Sequence, residues 1–232
     1  MQTTPWHDTT FIAWLRADPA LLALHDFAAT LLDDDPGHDL AHALRVAHQA
    51  ASLGLAEGAD PREAVAAALF HDVVNLPKDH PDRAKASTLS AERARACLPA
   101  FGFDAAAIDR IADAIRDHSF SRGAVPTNPL GRALQDADRL EALGVIGLFR
   151  CISTGVRMGA RYFDAADPFA RSRPRDDLRF SIDHFYTKLL KLPATFLTAA
   201  GRAEAQRRAA WLETALVQLA DELGEGPPPS VV

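Results

Sequence analysis

The chain reads as an all-α protein of about eight to ten helices, on three observations. Alanine supplies about a fifth of the residues and, with Leu, Arg and Glu, favours side chains that lose little rotamer freedom in a helix. Apolar residues recur at three- and four-residue spacing along most of the length. No alternating apolar and polar run is long enough for a hairpin strand, and the Val73-Val74 pair stops at Asn75 and Pro77. With 232 residues and 25.1 kDa the chain can bury a sizeable core. One globular domain is expected over 1–222, with its principal motifs in 38–150, C-terminal helices in 178–222 and a flexible tail at 223–232.

Helices are predicted near 8–17, 19–33, 38–54, 61–74, 82–99, 104–117, 128–139, 141–160, 178–190 and 194–222. Asp33-Asp34-Asp35-Pro36-Gly37 stops the second before the third begins, with Leu40, Leu44 and Ala47 on the third helix's packing side. Asp60-Pro61 places a capping carboxylate and a first-turn proline at the start of the fourth, whose Ala64–Phe70 stretch is strongly apolar. Leu134, Leu140 and Leu143 give the seventh its core positions. Connections near 75–81, 118–128 and 161–177 carry polar and basic residues, as loops that line a site often do. Gly144-x-x-Gly147 permits close helix approach, either within the chain or in an oligomer.

Charge narrows the function classes. The net charge of −6 removes the electrostatic basis for a general nucleic-acid coat, although a single nucleotide remains an acceptable partner. Residues 1–120 hold 10 Lys and Arg against 18 Asp and Glu, and residues 121–232 hold 15 against 13, so the basic content lies in the second half. Its arginines at 150, 157, 161, 171, 173, 175 and 179 form either a phosphate-meeting cluster or a solvated face. Cys97 and Cys151 are too few for a disulfide framework, and neither has zinc-ligand spacing. With no secretory pattern and no apolar stretch of about 18 residues, a cytoplasmic protein without membrane attachment is expected.

Histidines and aspartates concentrate the chemistry. His38, His42 and Arg45 stand at i, i+4 and i+7, on one helix face. His71-Asp72 follows directly on the apolar 64–70 run, where a carboxylate is costly unless paired or bound to a cation. Adjacent residues lie about 100° apart on a helix, so both reach one ion only at a helix edge, and Pro77 supplies the turn. Asp138 falls among core-like leucines, whereas Asp136 is assigned to solvent.

His42, His71-Asp72 and Asp138 resemble the H…HD…D signature of the HD-domain metal-dependent phosphohydrolase superfamily. His38-Asp39-x-x-His42-x-x-Arg45-Val46, Pro77-Lys78, His118-Ser119-Phe120-Ser121, Asp136-Ala137-Asp138-Arg139-Leu140 and Phe185-Tyr186-Thr187-Lys188-Leu189-Leu190 resemble its YedJ/YpgQ-like branch, with Glu141 where that branch usually has Asp. The resemblance implies a single HD-type helical domain with His42, His71, Asp72 and Asp138 as ligands of one divalent ion. Two imidazoles and two carboxylates suit Mn²⁺, Mg²⁺, Co²⁺, Fe²⁺ or Zn²⁺, and the resemblance favours Mn²⁺.

Asp72, His118 and His38 are the candidate catalytic residues. His118 could act as proton donor, hold a phosphate, or complement a helix dipole, while His38 either orients water or caps a helix. Arg45, Lys78, Arg150 and Lys188 are the candidate cations for a phosphorylated substrate. The implied activity is nucleotide phosphohydrolysis, in particular release of pyrophosphate from a (deoxy)nucleoside triphosphate. Other HD-type phosphomonoesterases and phosphodiesterases, or a nucleotide or metal sensor without turnover, are the alternatives.

Overall fold

The computed structural model describes residues 8–32, 37–76, 82–119 and 123–230. Among them lie ten α-helices and no strand: α1 Asp8–Ala17, α2 Pro19–Ala29, α3 Leu40–Ala56, α4 Pro61–Phe70, α5 Ala86–Cys97, α6 Ala105–Asp117, α7 Pro129–Leu140, α8 Gly144–Arg157, α9 Ser181–Thr187 and α10 Ala199–Glu222. Short side chains start five of them by accepting orphan backbone N–H groups. Asp18 accepts from Ala20 and Leu21, Asp39 from His42, Asp60 from Arg62, Asp104 from Ala107 and Thr198 from Gly201. Pro19 and Pro61 follow their caps where a missing N–H costs nothing.

The chain divides into two compact units, Met1–Asp138 and Arg139–Val232. In the first, α4 is the central rod: every residue from Glu63 to Phe70 is buried, and α4 packs on α2, α3, α5 and α6. A helix apolar all round has no solvent face to keep, and burying Val65, Leu69 and Phe70 contributes on the order of 1.5–3 kcal/mol each. Its one acidic side chain, Glu63, is paired by Arg110 through contacts of 3.0 and 2.5 Å. In the second unit α10 packs on α8 and on the 189–195 segment, around Phe185, Leu189, Leu192 and Phe196. A Cβ at Gly147 would overlap the Ala142 carbonyl, so that glycine serves packing inside this unit.

Several predicted boundaries shift. The 61–74 helix ends at Phe70, the 19–33 helix at Ala29, and the third begins at Leu40. The 178–190 helix contracts to Ser181–Thr187, because Lys188 leaves helical geometry at φ −135° and a 3₁₀ stretch, Leu189–Thr195, takes over. Leu40 and Leu44 are half-buried rather than core, since α3 turns His42, Ala43, Val46 and Ala47 inward. The expected stop at 33–36 lies outside the described residues. The 161–177 connection is knitted by Asp167, which accepts from the Arg171 and Ser172 amides at 2.8 Å each. At the tail, the Arg171 guanidinium donates to the Gly226 and Pro227 carbonyls at 2.6 Å each. No described helix is long and apolar enough to cross a membrane.

Candidate metal centre

Four backbone segments of the first unit deliver side chains to one cluster. Asp39 caps α3 with a 2.7 Å bond from the His42 amide, which fixes the helix start and places His42 wholly inside. The buried α4 ends at Phe70 with His71 as its C-cap residue, and the His71 imidazole donates from Nδ1 to the Ala68 carbonyl at 2.6 Å. That bond assigns the neutral tautomer and leaves the Nε2 lone pair aimed away from α4. His118, capping α6, repeats the device with Nδ1 donating to the Ile115 carbonyl at 2.6 Å.

The remaining atoms converge. His42 Nε2 and His71 Nε2 are 3.2 Å apart, and donor atoms of His42, His71 and Asp72 all lie within 4.8 Å of one another. Asp138 Oδ1, from α7, stands 3.7 Å from His42 Nε2 and 3.8 Å from His71 Nε2. Asp72 faces three histidines: Oδ2 lies 3.4 Å from His71 Nε2 and 3.8 Å from His38 Nε2, and Oδ1 lies 3.8 Å from His118 Nε2. The histidine side chains at 42 and 71 are 1% exposed, whereas those of Asp72 and Asp138 are 23% and 28% exposed, so the cluster opens on its carboxylate side.

Burial pushes the His71 pKa down to about 4, against the opposing attraction of Asp72. Burial tends to raise the Asp72 carboxyl, but His71, His118 and His38 outweigh it and hold it well below the usual carboxylate range. Asp138 likewise stays low because His71, His42 and His118 prevail over burial. Burial opposes charge on His118 as well, yet the nearby Asp72 carboxylate, followed by Asp138, raises its pKa. At neutral pH the cluster therefore offers an unprotonated imidazole and two ionised carboxylates, the protonation states a divalent cation requires. Mixed nitrogen and oxygen donors with an open side fit one such ion plus exchangeable ligands.

Six residues singled out from the sequence thus come together: His38, His42, His71, Asp72, His118 and Asp138. Arg45 is half-buried on α3, one turn after His42. Lys78 lies outside the described residues. Arg150 on α8 and the exposed Lys188 after α9 belong to the second unit. Asp136, expected in solvent, is fully buried. It lies between Gln135 and Ala137, buried like itself, so that stretch of α7 presents no solvent-facing position. Of the histidines left structural, His48 packs on Phe11 and His184 bonds Asp177 at 3.0 Å, while His7 and His80 lie outside the described residues. Sequence reading missed Gln135, a buried amide between Leu134 and Asp136, and its signal was a polar residue directly after the core-like Leu134.

Residues 39–143 match the HD domain family. The chain is 34% identical over 183 residues to YpgQ of Bacillus subtilis, a match covering 77% of this chain and 80% of that protein. The crystal structure of B. subtilis YpgQ in complex with ADP superposes with a TM-score of 0.67 at 27% identity, covering 86% of this chain and 96% of the other. An HD-superfamily hydrolase from Bacillus thuringiensis gives a TM-score of 0.67 at 28% identity, covering 94% of this chain and 100% of the other.

Proposed function

Because this chain belongs to the HD-domain family, we propose that it is a metal-dependent phosphohydrolase acting on a nucleotide, and specifically one that releases pyrophosphate from a (deoxy)nucleoside triphosphate. The observation that carries the reading is the His42, His71 and Asp72 cluster, with Asp138 beside it and an open carboxylate side. The complex of YpgQ with ADP supports a nucleotide as ligand. Mn²⁺ is the proposed ion, held by His42, His71, Asp72 and Asp138. A divalent ion there supplies Lewis-acid polarisation of a phosphoryl oxygen and acidifies water near neutral pH.

The chain's own residues supply the rest. His71 and Asp138 hold their donor atoms unprotonated and aimed at one point. Asp72 orients His118, whose Nε2 stands 3.8 Å from that carboxylate and passes a proton to the departing phosphate oxygen. His38, 3.8 Å from the same carboxylate, orients water from the other side. Arg45, Lys78, Arg150 and Lys188 are the proposed partners of the phosphate charge, and Arg-to-Met or Lys-to-Met substitution of each should raise KM.

The test is product analysis. Metal-stripped protein is reloaded with Mn²⁺, Mg²⁺, Co²⁺ or Fe²⁺ and incubated with nucleoside tri- and monophosphates, with His71→Ala as control. Metal-dependent pyrophosphate, absent in the control, is the expected result. Release of orthophosphate instead would change the cleaved bond, and stoichiometric metal binding without turnover on any substrate would overturn the phosphohydrolase reading in favour of a sensor.

A further inference from the structure

The last carbonyls of an α-helix have no partner within the helix, and the end of α6 is the point from which His118 reaches the metal centre. Each of its final three carbonyls is met by a different side chain. Ile115 O accepts from His118 Nδ1 at 2.6 Å, Arg116 O from Ser87 Oγ of α5 at 3.0 Å, and Asp117 O from Gln135 Nε2 of α7 at 3.1 Å. The second Gln135 amide hydrogen goes to Ala124 O, also at 3.1 Å, so one side chain ties together both sides of the connection that His118 opens. Ser87, Gln135 and His118 are all buried, at 5%, 1% and 3% exposure, so water does not substitute for these bonds.

The same two helices hold the other half of the cluster. Ser90, one turn after Ser87 on α5, accepts from the Val74 amide at 3.1 Å and fixes the turn that follows Asp72. Gln135 stands one turn before Asp138 on α7. α5 thus anchors the Asp72 segment and the His118 segment from successive turns, and α7 anchors the His118 segment and carries a carboxylate of the cluster.

We propose that Ser87 and Gln135 are positioning residues for the hydrolytic reaction, capping the C-terminus of α6 from two sides so that His118 Nε2 is held against Asp72. The inference rests on the phosphohydrolase reading for its kinetic consequence and on geometry alone for its structural one. A reacting group displaced by about 1 Å can lose on the order of a hundredfold in rate. Gln135→Met keeps the shape and removes both donors, and Ser87→Ala removes the one hydroxyl that bonds the Arg116 carbonyl.

Each substitution is made in the natural sequence and in a His118→Ala background, with kcat, KM and Mn²⁺ affinity measured for all. The expected result is a tenfold or larger fall in kcat for Gln135→Met, a smaller one for Ser87→Ala, unchanged Mn²⁺ affinity, and no further loss once His118 is gone. Equal losses in both backgrounds, or no loss in either, would overturn the proposal. Should the protein show no hydrolytic activity, crystal structures of the two variants decide: a His118 ring moved away from Asp72 supports the positioning role, and an unmoved one refutes it.

Discussion

Acidifying the metal-free protein will cost stability through His71, and the magnitude follows from its burial. An unfolded histidine binds a proton near its ordinary value of 6.5, whereas native His71 does so only near 4. Protons therefore favour the unfolded state throughout that interval. The contribution of native His71 is intact above pH 6.5 and is lost as pH falls toward 4. At about pH 5 the loss is roughly 2 kcal/mol, with a ceiling of about 3 kcal/mol below pH 4. His118 works in the opposite direction, because its raised pKa adds stability as pH falls. Asp72 and Asp138, with lowered values, lose theirs only below the ordinary carboxylate range. The His71 share is isolated by comparing the natural protein with His71→Gln, in urea unfolding with chelator present, near pH 7.5 and about pH 5. The stability difference between the two should shift by about 2 kcal/mol against the natural protein on acidification. Parallel stabilities at the two pH values would refute the argument that burial holds this imidazole neutral.

Asp138→Asn keeps the side-chain size but removes an anionic donor, and calorimetry should show Mn²⁺ affinity falling by at least about tenfold; an unchanged isotherm excludes Asp138 as a ligand. Mn²⁺ at a hundred times its dissociation constant should stabilise the protein by about 2.7 kcal/mol, and chelation should reverse this in a thermal melt; a melt indifferent to the ion counts against a metal centre in the folded state. Asp39→Ala removes the cap of α3 and should cost about 1 kcal/mol in urea unfolding, together with weaker Mn²⁺ binding because the His42 amide loses its anchor. Gly147→Ala should destabilise by about 1–3 kcal/mol because the added methyl meets the Ala142 carbonyl, and a neutral result would show that the loop between α7 and α8 yields.

The predicted helices that survive nearly unchanged, 8–17, 104–117 and 128–139, are those whose apolar period and terminal signals lie within the element. The 61–74 helix overran because Val73 and Val74 continue the apolar run, while the chain leaves α4 where His71 bonds back to Ala68 and the Val74 amide goes to Ser90, sixteen residues ahead. The 178–190 helix overran for a similar reason. Asp183 at its start is consumed by Arg173 and the Asp176 amide, contacts that no local pattern announces. Asp136 and Asp138 show the limit on α7, since the residue assigned to solvent is fully buried and its neighbour stays partly exposed.

Taken by itself, the sequence determined that the chain is helical and where most helices begin, while the grouping of His42, His71, Asp72 and Asp138 was legible through their resemblance to the HD-domain signature. The helical properties follow from bonds between residues at most four apart and from the types of side chain present. Tertiary structure alone decided that burial keeps His71 neutral while His118 is pushed toward its charged form, and that Ser87 and Gln135 close the end of α6. Hydrogen-bond partners 18 to 29 residues apart close that helix end, and the burial and charges that act on the two imidazoles arise only when α4, α5, α6 and α7 pack.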